Sequence, residues 1–181
     1  MRGNILFFLL MLIFNLNFGQ SKFESFIKYL NSLPYNQKDI VVDSFFAASS
    51  QKGIPLVEEN TVYFLYLGQS DKVFVTGDFN EWDKNNTLMA KVPGTDLQYL
   101  KRKLSPDSCI QYMIKDNEGV WQKDIYNPNY QVKNNGIKIS VLEMPGYISS
   151  EKMNYFNEST KRKIDTSNNK SKSTGIQNNK L

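Results

Sequence analysis

VFVTGDFNEWD, running from Val73 to Asp83, is the stretch on which the reading of this chain turns. Its first half alternates apolar and polar residues, the period of a half-buried strand, and the alternation stops at Gly77. An aromatic, an asparagine and one of the two tryptophans of the chain follow at once. Trp82 reads in two ways. It is either the keystone of a β-sandwich core, a common use of tryptophan in such folds, or a flat surface held out for a ligand.

Outward from this segment the chain is rich in short strands. TVYFLYLG (61–68), KVFVTGDF (72–79), QYLKRKL (98–104), CIQYMIKD (109–116), VWQKDIY (120–126) and GIKISVLEM (136–144) all favour extended structure. Turn-forming groups separate them, among them Pro93-Gly94-Thr95-Asp96, Ser105-Pro106-Asp107 and Asn134-Asn135-Gly136. Six short strands with turns at this spacing predict a mainly β, immunoglobulin-like antiparallel sandwich over 53–148. Asn117 to Gly119 is a hairpin candidate, and Trp121 lies just beyond it. Both tryptophans therefore fall beside loop tips.

Residues 20–52 read as a helical lead-in. Phe23, Phe26, Ile27 and Leu30 recur at helical spacing and end before Pro34, and a second helix is expected over Lys38 to Ser49. Two helices this short need a surface to pack on. Residues 1–19 have the form of a signal peptide. Arg2 precedes the apolar run ILFFLLMLIF, ten residues, too short to span a bilayer, and cleavage is expected after Gly19. The chain is expected to be exported, periplasmic or extracellular, with no transmembrane helix once the leader is removed. Residues 149–181 form a polar, basic tail whose Asn, Lys and Ser content predicts disorder.

The net charge of +4 sits almost entirely outside the predicted sandwich: residues 151–181 carry seven basic and three acidic groups, and residues 20–150 fourteen and fifteen. No nucleic-acid-binding face is implied. The chain has no histidine, which removes the imidazole on which Ser-His-Asp and Cys-His catalysis rely and the commonest zinc ligand. No G-x-S-x-G elbow is present, and Cys109 is the only cysteine. Asp78, Glu81 and Asp83 read as solvated loop acids, not as opposed catalytic carboxyls. The expectation is a protein that is not an enzyme and takes no cofactor and no metal.

Binding is the alternative to catalysis. Sugars present C–H faces with hydroxyls at the rim, which suits an aromatic plane edged by amides. Trp82, with Asn80 beside it, and Trp121 on a neighbouring loop supply those groups.

The segments PLVEENTVYFLYLG (55–68), VTGDFNEWD (75–83), VPGTDLQYL (92–100), IQYMIK (110–115), YNPN (126–129) and VLEMPGY (141–147) carry a family resemblance. Over residues 22–150 the chain resembles the N-terminal early-set domain of secreted esterases related to enterochelin esterase. It is similar, more distantly, to glycogen-binding modules of starch-branching enzymes and of the AMP-activated kinase β-subunit. The resemblance implies an early-set sandwich that binds polysaccharide or oligosaccharide, with Trp82 and Trp121 as its stacking pair. A lysine expected on the YKF strand is Met113 here, and an asparagine expected late in the domain falls at Ile139, with Asn134 and Asn135 close by. Where such esterases continue into an α/β-hydrolase, this sequence continues into Lys161-Arg162-Lys163 and the polar tail. The alternative that the resemblance implies is a docking or scaffold domain of an esterase-type α/β-hydrolase, separated from its catalytic domain or having lost it, with a hydrolase domain in trans as a possible partner.

Overall fold

A computed structural model of the chain describes residues 21–51, 53–83, 87–117, 119–154, 158 and 161. The expected leader and the tail from 162 onward lie outside the described residues. Two compact units divide the chain, Met1–Pro145 and Gly146–Leu181. In the second, residues 150–154 are helical.

Among the described residues of the first unit two helices, α1 (Lys22–Ser32) and α2 (Tyr35–Ser50), precede eight strands. These are β1 (Leu56–Glu58), β2 (Thr61–Leu67), β3 (Phe74–Gly77), β4 (Ala90–Lys91), β5 (Leu97–Lys103), β6 (Cys109–Lys115), β7 (Tyr130–Val132) and β8 (Lys138–Glu143). They form two antiparallel four-stranded sheets, β1-β2-β5-β4 and β3-β6-β8-β7. The mainly β sandwich with a helical lead-in is the fold that the strand pattern predicts.

The β6 residues show how the pattern works. Ile110, Tyr112 and Ile114 are buried, while Gln111, Met113 and Lys115 between them are half-exposed. The buried set meets Val75 and Leu142 of its own sheet and Val62, Phe64 and Leu100 of the other, forming the inter-sheet core. The β2 strand differs, because Val62, Tyr63, Phe64 and Leu65 are all buried in succession. A strand covered on both faces loses its alternation. The cover is the helical lead-in: Phe23, Leu30, Val42 and Phe46 pack with Tyr63, Leu65 and Leu97 in a second apolar cluster. The layers are thus helices, the β2 sheet and the β6 sheet. The outer face of the β6 sheet carries half-exposed Phe74, Met113 and Lys115.

A carboxylate fixes the lead-in to the sandwich. Ser21 caps α1 by accepting from the Glu24 backbone N–H at 3.1 Å, and Glu58 of β1 accepts from the N–H groups of Lys22 and Phe23 at 3.0 and 2.9 Å. Two orphan amides and the positive end of the helix dipole are satisfied at once. Glu58→Ala is expected to cost about 1–2 kcal/mol and Glu58→Gln less. Thermal unfolding of the two variants checks this, and an unchanged Tm for Glu58→Ala would remove the tether.

Three departures from the sequence reading have physical causes. Val120 to Tyr126 is not a strand: only Gln122 pairs, with Ile114, and the chain then turns inward at Asp124. The β1, β4 and β7 strands, of three, two and three residues, are too short to register as a period. The α2 helix also starts earlier than expected, at Tyr35, with Pro34 supplying a preset φ at its N-cap.

Candidate functional site

Gly77 ends β3 with φ 177°, an extended backbone open to any residue, so its reason is space. A Cβ there would lie 2.3 Å from the Gln111 carbonyl oxygen and 2.8 Å from the Tyr112 Cβ. Backbone meets backbone, and the chain can then leave the sheet in one short 3-10 turn, Asp78–Asn80. Glu81 and Trp82 follow with φ of 54° and 61°. Successive left-handed non-glycine residues cost on the order of 1 kcal/mol each and persist only where their surroundings hold them.

The holding groups are visible. The Asn80 side-chain oxygen accepts from the Gly77 N–H at 2.9 Å, and its amide donates to the Asp83 carbonyl at 2.8 Å. The Trp82 N–H donates to the Gly77 carbonyl at 3.0 Å. Asp78 bridges the turn to the sheet: one oxygen accepts from the Trp82 indole N–H at 2.9 Å and the other from the Gln111 N–H at 2.7 Å. Phe79 turns inward against Phe64, with ring centroids 5.3 Å apart. Trp82 stays half-exposed and belongs to neither apolar cluster.

Trp121 is placed by different means. Gln122 exchanges both backbone hydrogen bonds with Ile114, at 2.8 and 2.9 Å, which sets Trp121 beside Lys115. The Lys115 ammonium lies 5.6 Å from the Trp121 ring centroid and 5.5 Å from that of Phe74. Beyond Gln122 the loop is anchored by a buried polar network. The Tyr112 hydroxyl donates to Asp124 at 2.8 Å, and the Asn127 amide donates to the Tyr112 oxygen at 3.0 Å and to the Val141 carbonyl at 2.9 Å. The other Asp124 oxygen accepts from the Tyr126 N–H, and the Asp124 N–H donates to Ser140. Burial raises the Asp124 carboxyl above its ordinary 3.8, against the hydrogen bonds that favour its charged form. The Tyr112 hydroxyl is pushed well above its usual range by burial and by Asp124.

Trp82 is tied to the sheet at Gln111 and Trp121 at Lys115, four residues further along β6, about 13 Å at the usual rise of a strand. Met113 lies between Gln111 and Lys115 on the same face of β6 and offers no hydrogen-bond donor. Of the amides expected at the rim, Asn80 is half-buried and bonded within its own turn. Asn134 and Asn135 are exposed in the β7–β8 turn, at the end of the sheet where β6 finishes, and Asn135 accepts from the Ile137 N–H at 3.2 Å. Trp82 and Asn80 are thus brought together at one end, and Trp121 and the hairpin asparagines share the other. Sequence reasoning passed over Asp78, treated as a solvated acid, and Lys115. For Asp78 the one available signal was its place directly after the glycine that ends the strand.

Residues 46–130 match the family model of carbohydrate-binding module 48, the isoamylase N-terminal domain. This agrees with the resemblance read from the sequence. The module 48 match takes in Trp82, Trp121 and Asn80 and ends before Asn134 and Asn135. Among solved structures, the ferric enterobactin esterase of Salmonella typhimurium is similar at 16% identity, covering 59% of this chain and 37% of its own, with a TM-score of 0.46. The enterobactin esterase of Shigella flexneri, solved in the presence of enterobactin, is similar at 17% identity, covering 49% and 31%, with a TM-score of 0.42. This chain therefore spans about a third of the length of those esterases. No curated protein matches it. Among the described residues no helix is long and apolar enough to cross a membrane.

Proposed function

We propose that this protein is a non-catalytic carbohydrate-binding module that works outside the cytoplasm, with Trp82 and Trp121 as its stacking surfaces. The observation that carries the reading is the placement of both indoles, half-exposed and outside the two apolar clusters, tied to one strand of one sheet. The match to module 48 over the residues that contain both supports it. Pyranose C–H faces gain about 25 cal/mol per Å² of apolar surface covered on such a ring. Anchor points about 13 Å apart along β6 suit an oligosaccharide better than a single sugar. The chain has no histidine, so it has no imidazole with which to relay a proton.

Retention on immobilised α-glucan and on plant-type polysaccharides tests this directly. Trp82→Ala and Trp121→Ala should each lose retention by tenfold or more, on the order of 1.4 kcal/mol, with unchanged unfolding profiles. Equal retention of both variants and the parent removes the proposal. Export is checked by the mass of the mature chain, which should begin at Gln20.

A second reading, docking to a hydrolase in trans, is favoured by one observation. Val120, Ile125, Tyr130, Val132 and Ile137 are exposed apolar residues within one stretch of the chain. In the lead-in Phe23, Leu30 and Phe46 are buried against the sheet, while Tyr35 and Ile40 are exposed. Co-purification with an α/β-hydrolase, lost on Val132→Asp but not on Trp82→Ala, would favour docking.

A further inference from the structure

We infer that the polysaccharide taken up at the Trp121 end carries anionic sugars, uronates or sulfate esters; this rests on the carbohydrate-binding reading and narrows it. Although residues 20–150 are near neutral as a whole, their charges are segregated. The Trp82 turn holds Asp78, Glu81 and Asp83, while the opposite end of the sheet holds Lys115, Lys133 and Lys138. Lys133 and Lys138 lie there because β8 begins and the β7–β8 turn closes where β6 ends; by register Lys138 projects with Tyr130 from the face opposite that of Lys115 and Trp121. Asp116 directly follows Lys115, and Asp124 is buried in its own hydrogen bonds.

Lys115, Lys123 and Lys138 place their ammonium groups against aromatic rings, and that of Lys123 also donates to the Asp124 carbonyl at 3.1 Å. Lys115 covers Trp121 and Phe74, and Lys123 and Lys138 lie 5.6 and 5.3 Å from the centroid of Tyr130. Lys91–Asp71 and Lys101–Glu24 are ion pairs elsewhere in the fold. A cation over an exposed ring is held by about 0.5–1 kcal/mol, weakly enough to move. A neutral sugar stacking on the indole face that Lys115 covers would displace the ammonium and offer it only uncharged hydroxyl acceptors. A sugar bearing a carboxylate or sulfate lays its C–H face on the ring and offers the displaced ammonium a charged acceptor at the rim. Lysine suits this use, since it is a mobile point charge with three donors that can follow a flexible polymer.

Affinity electrophoresis of the full chain tests the inference. The gels contain polygalacturonate, carboxyl-reduced polygalacturonate, dextran sulfate, dextran or glycogen. Retardation is expected to be at least about tenfold stronger in one charged polymer than in its neutral counterpart, and to fall steeply as salt shortens the screening length from about 10 Å to about 3 Å. Whether polygalacturonate or dextran sulfate is preferred distinguishes uronate from sulfate. Lys115→Gln with Lys138→Gln should abolish the preference. Lys22→Gln with Lys28→Gln, the same charge change on α1, should leave it intact.

Equal retardation in charged and neutral polymers overturns the inference and leaves the carbohydrate-binding reading standing. No retardation in any polymer overturns both. An equal loss from the α1 pair, or tighter binding of a single-stranded oligonucleotide than of either anionic polymer, also overturns the inference.

Discussion

Gly77→Ala is expected to lower the stability of the protein by about 3 kcal/mol, a fall in Tm of about 10 °C. The added methyl has nowhere to go. It meets the Gln111 carbonyl at 2.3 Å and the Tyr112 Cβ at 2.8 Å, and neither is the end of a flexible side chain. Relief requires β3 to move away from β6 at the point where the Gly77–Tyr112 pair closes the ladder. The Trp82 N–H is bonded to the Gly77 carbonyl, and Asp78 links the indole to Gln111, so the same shift unseats Trp82. Stability and glycan retention should fall together. Thermal unfolding with a retention assay checks this, and a stable Gly77→Ala with parental Tm would show that the close approach is not a constraint.

Asp124→Ala should be more damaging still, by about 3–5 kcal/mol. It strips partners from a buried hydroxyl, that of Tyr112, and from the Tyr126 N–H, and the loop that carries Trp121 loses its anchor. Asp124→Asn separates charge from packing. Burial raises the folded carboxyl above its ordinary 3.8. The folded state therefore holds the proton more tightly than the unfolded state. The contribution of Asp124 is fully present below the unfolded value and is lost as pH rises through the folded one. The stability of the parent relative to Asp124→Asn should accordingly decline as pH is raised from that of an ordinary carboxyl toward neutrality, then level off. Denaturant unfolding across that range reads the difference, and a relative stability that climbs with pH would show the carboxyl to be favoured as an anion.

Much of the fold was legible because one physical rule covers most of it. Where one sheet face meets a core and the other meets water, residues alternate, as CIQYMIK does. The rule fails where its premise fails. TVYFLYL is buried on both faces because the lead-in covers it, and the need of that lead-in for a surface was itself readable from its length. VWQKDIY has strand-forming residues, yet Asp124 is drawn inside by Tyr112 and Ser140, a contact between residues far apart in sequence that no local pattern announces.

The candidate site follows the same division. That both tryptophans sit beside loop tips could be read from Gly77 and from Asn117 to Gly119. The direction of Trp82 could not, since it is set by two left-handed residues and by an Asp78 carboxylate whose second partner is a strand away. Asn80 has the chemistry of a rim amide, but its hydrogen bonds close the turn. Lys115 was invisible as a partner of Trp121 because the Gln122 bridge that aligns them is a single residue long.

The central claim is that the two indoles form the contact surface for a glycan. With two tryptophans in the chain, an amide-correlated NMR spectrum holds two indole N–H signals, assigned by Trp82→Phe and Trp121→Phe. Titration of the intact protein with maltoheptaose and with oligogalacturonate should move both signals along one saturable curve for at least one of the two sugars. Two indole signals that stay fixed under both ligands, in a protein whose backbone spectrum is well dispersed, would contradict it.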